Sequence, residues 1–369
     1  MNIFEKLGIR KYINAHDTYT IYGGSRMAPN TLEAMCAIAG HFVDFGELQQ
    51  AVGERIAQLT HNEAAFVTNG SAGAIQLAAA VCMCKGDAYR YMRLPECDAD
   101  MHRDCVVMRC QHNAYDKAIE GAGARILEIG DADETLECEL EGVLRRGVAA
   151  VFYFASTLYA RASMPLDTVI NLAHRYGTPV IVDAAAQLPP KENLWKYTQM
   201  GADLVIFSGG KTLCGPQDSG LMLGRKELIA DCHRFGAPAH GICRSSKTSR
   251  EAVVGLLTAL ENYLSLDDEQ EYARLSALNA RIADQLADCA HCSTRIVPYG
   301  PVGQTYPRLF IDLAAHLSAP TLEQQMRAEA IFIGRQGEST LYVSPLNLTD
   351  AEADTVAATL LRLIREASA

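Results

Sequence analysis

The sequence predicts an α/β fold: a large domain with a mostly parallel sheet, followed by a small C-terminal α+β domain. Before residue 265, strand-like runs alternate with helical segments. These runs are continuously apolar, which is typical of parallel strands covered on both faces. Beyond residue 265 the pattern changes, and the predicted strands are short segments that alternate with helices. We therefore expect an arm over residues 1–30, a large domain over 31–264 and a small domain over 265–369.

The composition is that of a globular chain with an acidic balance. Its 369 residues exceed what one hydrophobic core usually fills, which favours two domains. The net charge of -11 disfavours a nucleic-acid partner, because affinity for phosphates depends on Lys and Arg. No apolar run is long enough to span a bilayer, and the first residues do not have the pattern of a signal peptide. We expect a cytoplasmic protein with neither a membrane nor a nucleic-acid partner.

The cysteines indicate reduced thiols. Twelve in 369 residues are too dilute for a disulfide scaffold, and their scatter is typical of an intracellular chain. Cys289 and Cys292, with His291 between them, superficially resemble half of a zinc site. A structural zinc site needs four ligands, usually two such pairs, and the sequence has no second pair. We expect no metal.

The elements of the large domain follow the polar arm, which is either a loose terminus or a segment lying over a site. The first helix has a polar cap candidate beside an early glutamate, and the helix ending at Tyr176 stops before Gly177. Strands are predicted over 64–68, 105–109, 125–129, 149–154, 179–183 and 204–207, with an apolar run at 221–223. Helices are predicted over 31–42, 48–59, 74–84, 115–122, 136–146, 165–176, 193–200 and 251–264.

The small domain has shorter elements. A long helix over 267–287 precedes strands predicted over 295–297, 308–311, 331–333 and 341–343. Helices are predicted over 321–327 and 350–365. This mixture gives the α+β prediction for the domain.

Residues with chemically useful side chains follow several strand ends of the large domain. Ser71, His112, Asp183 and Lys211 all lie at or just after a predicted strand end. Ligands of parallel α/β sheets bind beyond the carboxyl ends of the strands. We therefore expect these four residues to meet at one edge of the sheet.

Lys211 follows a buried strand and a glycine pair, so its amine can be held in a cleft. Such an amine, easily deprotonated, is what a Schiff-base lysine requires. Taken alone, a surface lysine in a tight turn fits the pattern about as well. Pyridoxal phosphate needs a lysine for its aldehyde, a carboxylate for its ring nitrogen and backbone N–H groups for its phosphate. Lys211, Asp183 and the turn at Ser71 supply all three.

The turn of small residues between the first strand and its helix comprises Gly70, Ser71, Ala72 and Gly73. Free N–H groups and the helix dipole at such a turn attract a phosphate, although a tight packing turn is the alternative. It is not a Walker A loop, because the Gly-Lys-Ser/Thr ending is missing.

Ser208 is a further candidate for a phosphate contact. Ser208 and Lys211 also have the spacing of a serine-lysine acylase motif, but the other sequence motifs of those enzymes are missing.

The motifs at 69–73, 179–186, 201–211 and 215–220 together resemble a fold-type I, aminotransferase-like pyridoxal-phosphate enzyme. More narrowly, they are similar to the selenocysteine synthase (L-seryl-tRNA selenium transferase)-like branch, which includes the D-glucosaminate-6-phosphate ammonia-lyases. The likeness runs from Ile13 to Pro345. The resemblance implies that Lys211 is the Schiff-base lysine and that Asp183 is the partner of the ring nitrogen. It also places the phosphate at Gly70–Gly73 and adds Gln187 to the cofactor contacts.

The resemblance suggests roles for five further residues. His112 stands where this fold often places a ring that stacks on the cofactor, although a solvated loop histidine is the alternative. Arg335 resembles the small-domain arginine that grips a substrate carboxylate. Arg244 and Lys247 are candidates for a phosphate or a substrate anion, with a rim salt bridge as the simpler account. His16 belongs to the arm, which departs from the family pattern on the substrate side, as the loop around Arg244 also does.

The expected function is that of a pyridoxal-phosphate lyase, which catalyses α,β-elimination and deamination. The expected substrate is a small amino acid or an amino-sugar acid, such as one like D-glucosaminate-6-phosphate. Racemase, aldolase and aminotransferase or other transferase chemistry shares the first steps, and a non-catalytic cofactor-binding protein is a further alternative. Selenium transfer is disfavoured, because the usual N-terminal tRNA-binding region is missing and the charge does not suit tRNA. We expect a homo-oligomer, a dimer or larger.

Overall fold

The computed structural model describes residues 2–368, which divide into two compact units. The large unit spans Arg26–Ser265. The C-terminal unit combines the chain up to Ser25 with the chain from Leu266 onward. The N-terminal segment contains helix α1 (Ile3–Leu7) and strand β1 (Ile13–Ala15). The segment that the sequence suggested as a separate arm is grouped with the C-terminal unit, because β1 forms a parallel pair with a later strand of that unit.

The large unit is built on a seven-stranded sheet. Its strands are β2 (Ala64–Asn69), β3 (Asp104–Met108), β4 (Arg125–Ile129), β5 (Ala150–Phe154), β6 (Val180–Asp183), β7 (Leu204–Ser208) and β8 (Ser219–Gly224). The strand order is β2-β8-β7-β6-β5-β3-β4. Only β8 runs antiparallel to its neighbours, and the other paired strands are parallel. The prediction of a mostly parallel α/β sheet is confirmed.

Helices separate most of these strands. They are α2 (Pro29–Ala39), α3 (Phe45–Thr60), α4 (Gly70–Cys84), α5 (Ala88–Arg93), α6 (Asp116–Gly121), α7 (Glu137–Leu144), α8 (Leu166–Arg175), α9 (Asn193–Gln199), α10 (Lys226–Phe235) and α11 (Arg250–Ser265). The sequence prediction omitted α5 and α10. Helix α5 has only six residues, and it begins where the Asp87 side chain accepts the N–H groups of Tyr89 and Arg90. Helix α10 begins with Lys226 and Glu227. These charged residues obscure the apolar pattern of the buried face, which includes Ile229 and Cys232.

Both faces of the large sheet are buried. In β3, Val106 and Met108 join one hydrophobic cluster, whereas Cys105 and Val107 join the cluster on the opposite face. Side chains alternate between the two faces of a strand, so a strand buried on both sides is apolar throughout. This is the physical reason for the continuous apolar runs in the sequence.

The C-terminal unit has a five-stranded sheet. Its further elements are α12 (Asp268–Leu286), β9 (Cys292–Val297), β10 (Arg308–Leu313), α13 (Ala319–Ala328), β11 (Ile331–Gln336), β12 (Thr340–Val343) and α14 (Asp350–Ser368). The strand order is β1-β11-β12-β10-β9, with β1 and β11 parallel and the other pairs antiparallel. Among the described residues, no helix is both long and apolar enough to cross a membrane.

The cysteine pair of the sequence analysis packs into the C-terminal unit. Cys289 is a buried member of its hydrophobic core, and Cys292 packs against that core. Burial, reinforced by the neighbouring Cys289, raises the pKa of the Cys292 thiol to about 12. The thiol therefore stays protonated at neutral pH in the metal-free protein. Within residues 2–368, no cluster of three or more His, Cys, Asp or Glu side chains is arranged to hold a metal ion.

Candidate active site

The carboxyl ends of the parallel strands bring the candidate residues of the large unit to one edge of the sheet. Strand β6 ends at Asp183, and the neighbouring strand β7 ends at Ser208, three residues before Lys211. Strand β2 ends at Asn69, directly before the turn that contains Ser71. Strand β3 ends at Met108, four residues before His112. The topology therefore places these residues as expected for a ligand site of a parallel sheet.

Lys211 lies in the tight turn that joins β7 to β8. The Gly209 N–H donates to the Ser219 carbonyl oxygen at 2.9 Å, and the Gly215 N–H donates to the Gly209 carbonyl oxygen at 2.8 Å. A Cβ atom at Gly210 would lie 2.5 Å from Gln217 Oε1, so only glycine fits there without displacing Gln217. The turn thus fixes the backbone of Lys211, whose side chain is half-buried.

Asp183 is a buried carboxylate close to the Lys211 ammonium group. Its side chain is only 9% exposed, and burial raises its pKa. Two weaker effects oppose the rise: the Ala185 N–H donates to Oδ1 at 2.9 Å, and the charge of Lys211 favours the ionised carboxylate. A carboxylate in such a place gains stability from a further positive N–H group.

The first turn of α4 is open to an anion. Gly70 has a left-handed φ of 63°, and a Cβ atom built on it would meet nothing within 4 Å. The N-cap residue Asn69 makes no capping hydrogen bond with its side chain. The backbone N–H groups at this helix end therefore lack a side-chain acceptor and are available to a phosphate. Gly220 packs against the backbone of Gly70. A Cβ atom built on Gly220 would overlap the Gly70 carbonyl group.

The loop that contains Arg244 and Lys247 lies against this helix end. The Asn69 side-chain amide donates to the Lys247 carbonyl oxygen at 3.2 Å. Ser246 Cβ would be 3.5 Å from a Cβ atom at Gly73, on the first turn of α4. Arg244 and Lys247 are exposed, and neither forms an ion pair with any residue of the described chain. The rim salt bridge that the sequence left open is therefore not formed within residues 2–368, and the segment that carries these two cations contacts the first turn of α4.

His112 is bound by acidic side chains that the sequence analysis did not consider. Its Nδ1 atom lies 2.5 Å from Asp116 Oδ2, and its Nε2 atom lies 3.4 Å from Glu128 Oε1. Only the contact with Asp116 is a hydrogen bond, because Nε2 is buried without a hydrogen-bond partner among the described residues, and the stacking role of His112 stays a prediction. Asp116, four residues after His112 at the start of α6, was the available sequence signal, because such a spacing brings a helix residue back toward the preceding loop.

Tyr159 is a second residue that the sequence analysis missed. Burial raises the pKa of its phenol, and the nearby carboxylates of Asp183 and Asp116 raise it further. The phenol is therefore close enough to both carboxylates to feel their charge. Tyr159 belongs to the loop after β5, and no motif in the sequence marks it.

Gln187 and Ser208 help to hold the site together. Gln187 is buried, and its carbonyl oxygen accepts the Asn193 side-chain amide at 2.6 Å. The Ser208 N–H donates to the Ala185 carbonyl oxygen at 3.3 Å, which ties the end of β7 to the segment after Asp183. Their roles as cofactor contacts stay predictions.

The remaining two candidates belong to the C-terminal unit. His16 Nδ1 lies 2.9 Å from the Tyr22 hydroxyl, and His16 Nε2 lies 2.7 Å from the Tyr342 hydroxyl. Burial lowers the pKa of His16, so the ring is neutral at neutral pH. Arg335 lies on β11, where its Nε donates to Glu323 Oε2 at 2.8 Å. A substrate carboxylate at Arg335 would have to compete with Glu323, and its substrate-binding role stays a prediction.

The residues of the large unit fit pyridoxal phosphate. The open first turn of α4 offers N–H donors and the Ser71 hydroxyl to a phosphate. Asp183 offers a buried carboxylate to a protonated ring nitrogen, and Lys211 offers a positioned amine to an aldehyde. Each of these three groups stands at an end of β2, β6 or β7, on the same edge of one sheet.

Comparisons with known proteins agree with this fit. The aminotransferase class-V family model matches residues 97–292, more than half of the chain. A 5'-C-glycyluridine monooxygenase-decarboxylase from Streptomyces sp is 32% identical over 335 residues, which cover 88% of this chain and 82% of that protein. The D-glucosaminate-6-phosphate ammonia lyase of Salmonella typhimurium is 30% identical over 340 residues, with 90% and 88% covered.

More distant sequence and structural similarity point the same way. An L-seryl-tRNA(Sec) selenium transferase of Desulfovibrio desulfuricans is 23% identical over 398 residues, which cover 95% of this chain and 79% of that protein. A solved structure of D-glucosaminate-6-phosphate ammonia-lyase matches all of both chains with a TM-score of 0.86 and 28% identity. The comparisons confirm the aminotransferase-like fold, the resemblance to the selenocysteine synthase-like branch and pyridoxal phosphate as the cofactor.

Proposed function

The chain belongs to the aminotransferase class-V family of pyridoxal-phosphate-dependent enzymes, and we propose that it is a lyase that deaminates a polar amino acid or amino-sugar acid by α,β-elimination. The observation that carries the proposal is the pairing of Lys211 with the buried Asp183 at adjacent strand ends. In the net reaction, the substrate loses its Cα proton and a β-hydroxyl group as water. Hydrolysis then yields a 2-keto acid and ammonium.

Pyridoxal phosphate, when bound, supplies an electron sink that makes the Cα proton of an attached amino acid acidic. The Lys211 amine is the base that removes this proton, because its backbone is fixed in a tight turn beside Asp183. Asp183 holds the proton on the ring nitrogen, and the first turn of α4 binds the phosphate. These roles require a deprotonated Lys211 and an ionised Asp183 in the loaded enzyme.

The substrate is proposed to be an amino acid that carries a polar, hydroxylated part. The relatives at 30% and 32% identity are named for D-glucosaminate-6-phosphate and for 5'-C-glycyluridine, and both of these substrates have this character. Arg244 and Lys247, which form no ion pair within the described part of the chain, support a substrate with an anionic group, since such cations attract anions. His16 and Arg335 are proposed as further substrate contacts. Arg335 resembles the small-domain arginine that grips a substrate carboxylate, and His16 lies in the arm that departs from the family pattern on the substrate side.

A second candidate function is oxygen-dependent decarboxylation. The observation that favours it is the 32% identity to the Streptomyces monooxygenase-decarboxylase over most of both chains. The two functions are separated by their products. Elimination releases ammonium and a 2-keto acid without oxygen, whereas oxidative decarboxylation consumes oxygen and releases carbon dioxide.

The decisive experiment measures these products directly. The purified, cofactor-loaded protein is incubated with amino acids, amino-sugar acids and glycyl nucleosides in both configurations. Ammonium, 2-keto acid, carbon dioxide and oxygen uptake are followed in parallel. We expect ammonium and 2-keto acid in equal amounts without oxygen uptake. Oxygen uptake with carbon dioxide release would establish the second candidate, and inversion at Cα alone would indicate a racemase.

Charge removal at the loop over α4 is expected to weaken the binding of an anionic substrate. In the double variant Arg244→Gln and Lys247→Gln, we expect KM to rise about tenfold to a hundredfold, because each charge-assisted contact contributes about 1.5 kcal/mol. Arg161→Gln is the matched control, since Arg161 is a highly exposed arginine that pairs with Asp133. An unchanged KM together with weaker cofactor binding would instead assign the two cations to the cofactor phosphate.

We further propose that the protein is a cytoplasmic homo-oligomer, a dimer or larger, without a nucleic-acid partner. The net charge of -11 supports the absence of nucleic acid, and the free cysteines are consistent with a reducing compartment. Sedimentation of the loaded protein tests the assembly. A monomer with full activity would contradict the proposed oligomer.

A further inference from the structure

Cys289 and Cys292 lie at the two ends of one tight turn in the C-terminal unit. The Cys292 N–H donates to the Cys289 carbonyl oxygen at 3.4 Å, and the central residues of the turn are Ala290 and His291. A four-residue turn of this kind brings its first and last Cα atoms within about 7 Å of each other. A disulfide joins residues whose Cα atoms are about 4.4 to 6.8 Å apart. The turn therefore brings the two cysteines to the separation that a disulfide spans.

The turn is anchored on both sides, and both thiols lie against one core. The Cys289 N–H donates to the carbonyl oxygen of Leu286, the last residue of α12, at 3.0 Å. Cys292 begins β9, which pairs with β10, and the Ala314 N–H just beyond β10 donates to the His291 carbonyl oxygen at 2.8 Å. Cys289 is a buried member of the hydrophobic core of this unit, and Cys292 packs against the same core. The two side chains are therefore held on one side of a fixed turn.

We propose that Cys289 and Cys292 are a reversible dithiol–disulfide pair, which low-molecular-weight disulfides such as glutathione disulfide oxidise. Cys292, the more exposed of the two, attacks first. Its thiolate bonds to one glutathione sulfur, and the other glutathione leaves as a thiolate. The Cys289 thiolate then attacks the Cys292 sulfur and expels the second glutathione. The protein pair loses two electrons and two protons, and the two glutathione molecules gain them.

The surroundings of Cys292 favour a disulfide that is stable but slow to form. Burial raises the pKa of its thiol to about 12, and the nearby Cys289 sulfur contributes to the rise. The reduced pair therefore lacks the thiolate stabilisation that makes low-pKa pairs strong oxidants, and its disulfide is correspondingly harder to reduce. The same high pKa leaves little thiolate at neutral pH, so the exchange takes hours. This inference is independent of the proposed function.

Other cysteines of the chain provide an internal comparison. Cys82 and Cys84 are as close in sequence, but both are buried within α4. Side chains two positions apart on a helix do not face each other, so this pair cannot close a disulfide while the helix is intact. Cys36 and Cys138 are exposed, and they would take up glutathione singly. Both are replaced by serine in the protein used for the test.

The test uses the full-length, cofactor-loaded protein with Cys36→Ser and Cys138→Ser. It is incubated for several hours at about pH 8.5, where more thiolate is present, in an equimolar mixture of glutathione and glutathione disulfide. The reaction is stopped with acid, and the unfolded protein is alkylated and mapped by peptide mass spectrometry. We expect most chains to escape alkylation at Cys289 and Cys292, in a peptide that has lost two hydrogen atoms. Cys82 and Cys84 should both be alkylated, and dithiothreitol should restore the reduced pair.

Single variants on the same background trap the intermediate. In Cys289→Ser and in Cys289→Ala, we expect Cys292 to retain one glutathione, because no second thiol can displace it. Two different replacements are used because Cys289 belongs to the core. In Cys292→Ser, the buried Cys289 should stay reduced. A parent protein that keeps both thiols reduced, or that keeps one stable glutathione on Cys292, would overturn the proposal. These readouts need no substrate, so they stand whatever reaction the enzyme catalyses.

Discussion

Replacement of Lys211 by alanine is expected to lower kcat/KM by at least about 10³-fold and to abolish covalent attachment of the cofactor. In the proposed function, Lys211 provides both the amine that attaches the cofactor and the base at Cα. Its turn offers no second amine, since the neighbouring positions are Gly209, Gly210 and Thr212. The measurement is borohydride reduction followed by intact-mass analysis, together with steady-state rates for the substrate found in the product screen.

The matched control for this variant is Lys196→Ala. Lys196 lies on α9, is about half exposed and pairs with Glu192 one turn away. Its removal should leave cofactor attachment and turnover unchanged, because exposed pairs of this kind contribute little. Reductive attachment of one cofactor per chain in Lys211→Ala would refute the assignment of Lys211. So would a kcat/KM within tenfold of that of the wild type.

The sequence could predict the sheet and the principal site residues because both depend on local signals. Continuous apolar runs mark strands buried on two faces, and β3 shows the reason in Cys105–Met108. Asp183 and Lys211 are close in sequence to their strand ends, so the topology alone brings them together. The turn at Gly70 was recognisable for the same reason: the strand, the turn and the helix are consecutive.

Contacts between distant segments could not be predicted in the same way. Asn69 binds the carbonyl group of Lys247, and Glu128 faces His112 across 16 residues of sequence. Tyr159 lies near Asp183 only because its loop follows β5, the strand beside β6. The pairing of β1 with β11 joins residues more than 300 positions apart. None of these contacts has a local pattern, and each requires the folded chain.

Basic side chains of the loop beside α4 and acidic side chains near His112 and Asp183 divide the site by charge. Arg244 and Lys247 have no ion-pair partner among residues 2–368, and their loop contacts the open end of α4, which favours anions. Asp116 at the start of α6, Glu128 on β4 and Asp183 at the end of β6 supply acidic side chains to the other strands of the sheet. An anionic substrate group would therefore be attracted to Arg244 and Lys247, while the first turn of α4 binds the cofactor phosphate in the proposed function. This division is the physical basis for expecting a polar substrate with at least one anionic end.

Replacement of Asp183 by asparagine is expected to lower kcat/KM about 10²- to 10³-fold while the protein remains folded. The amide cannot hold the proton on the ring nitrogen by charge, so the electron sink weakens although its shape is preserved. In the cofactor-free protein, the same substitution should raise the free energy of unfolding and not lower it. Burial raises the pKa of Asp183 above its ordinary value of 3.8, so the folded chain binds this proton more tightly than the unfolded chain. The contribution of Asp183 to the free energy of unfolding is therefore lost as the pH rises from about 4 through the raised pKa.

In Asp183→Asn this pH-dependent loss should be absent, so the cofactor-free variant should gain stability relative to the wild type as the pH rises above about 4. Denaturant unfolding of both proteins at several pH values measures the difference. The control is Asp167→Asn, an exposed aspartate in the first turn of α8, whose relative stability should show no such trend. With cofactor bound the order should reverse, because the positive ring nitrogen then stabilises the ionised Asp183. If Asp183→Asn gains as much stability from the cofactor as the wild type does, Asp183 is not the partner of the ring nitrogen.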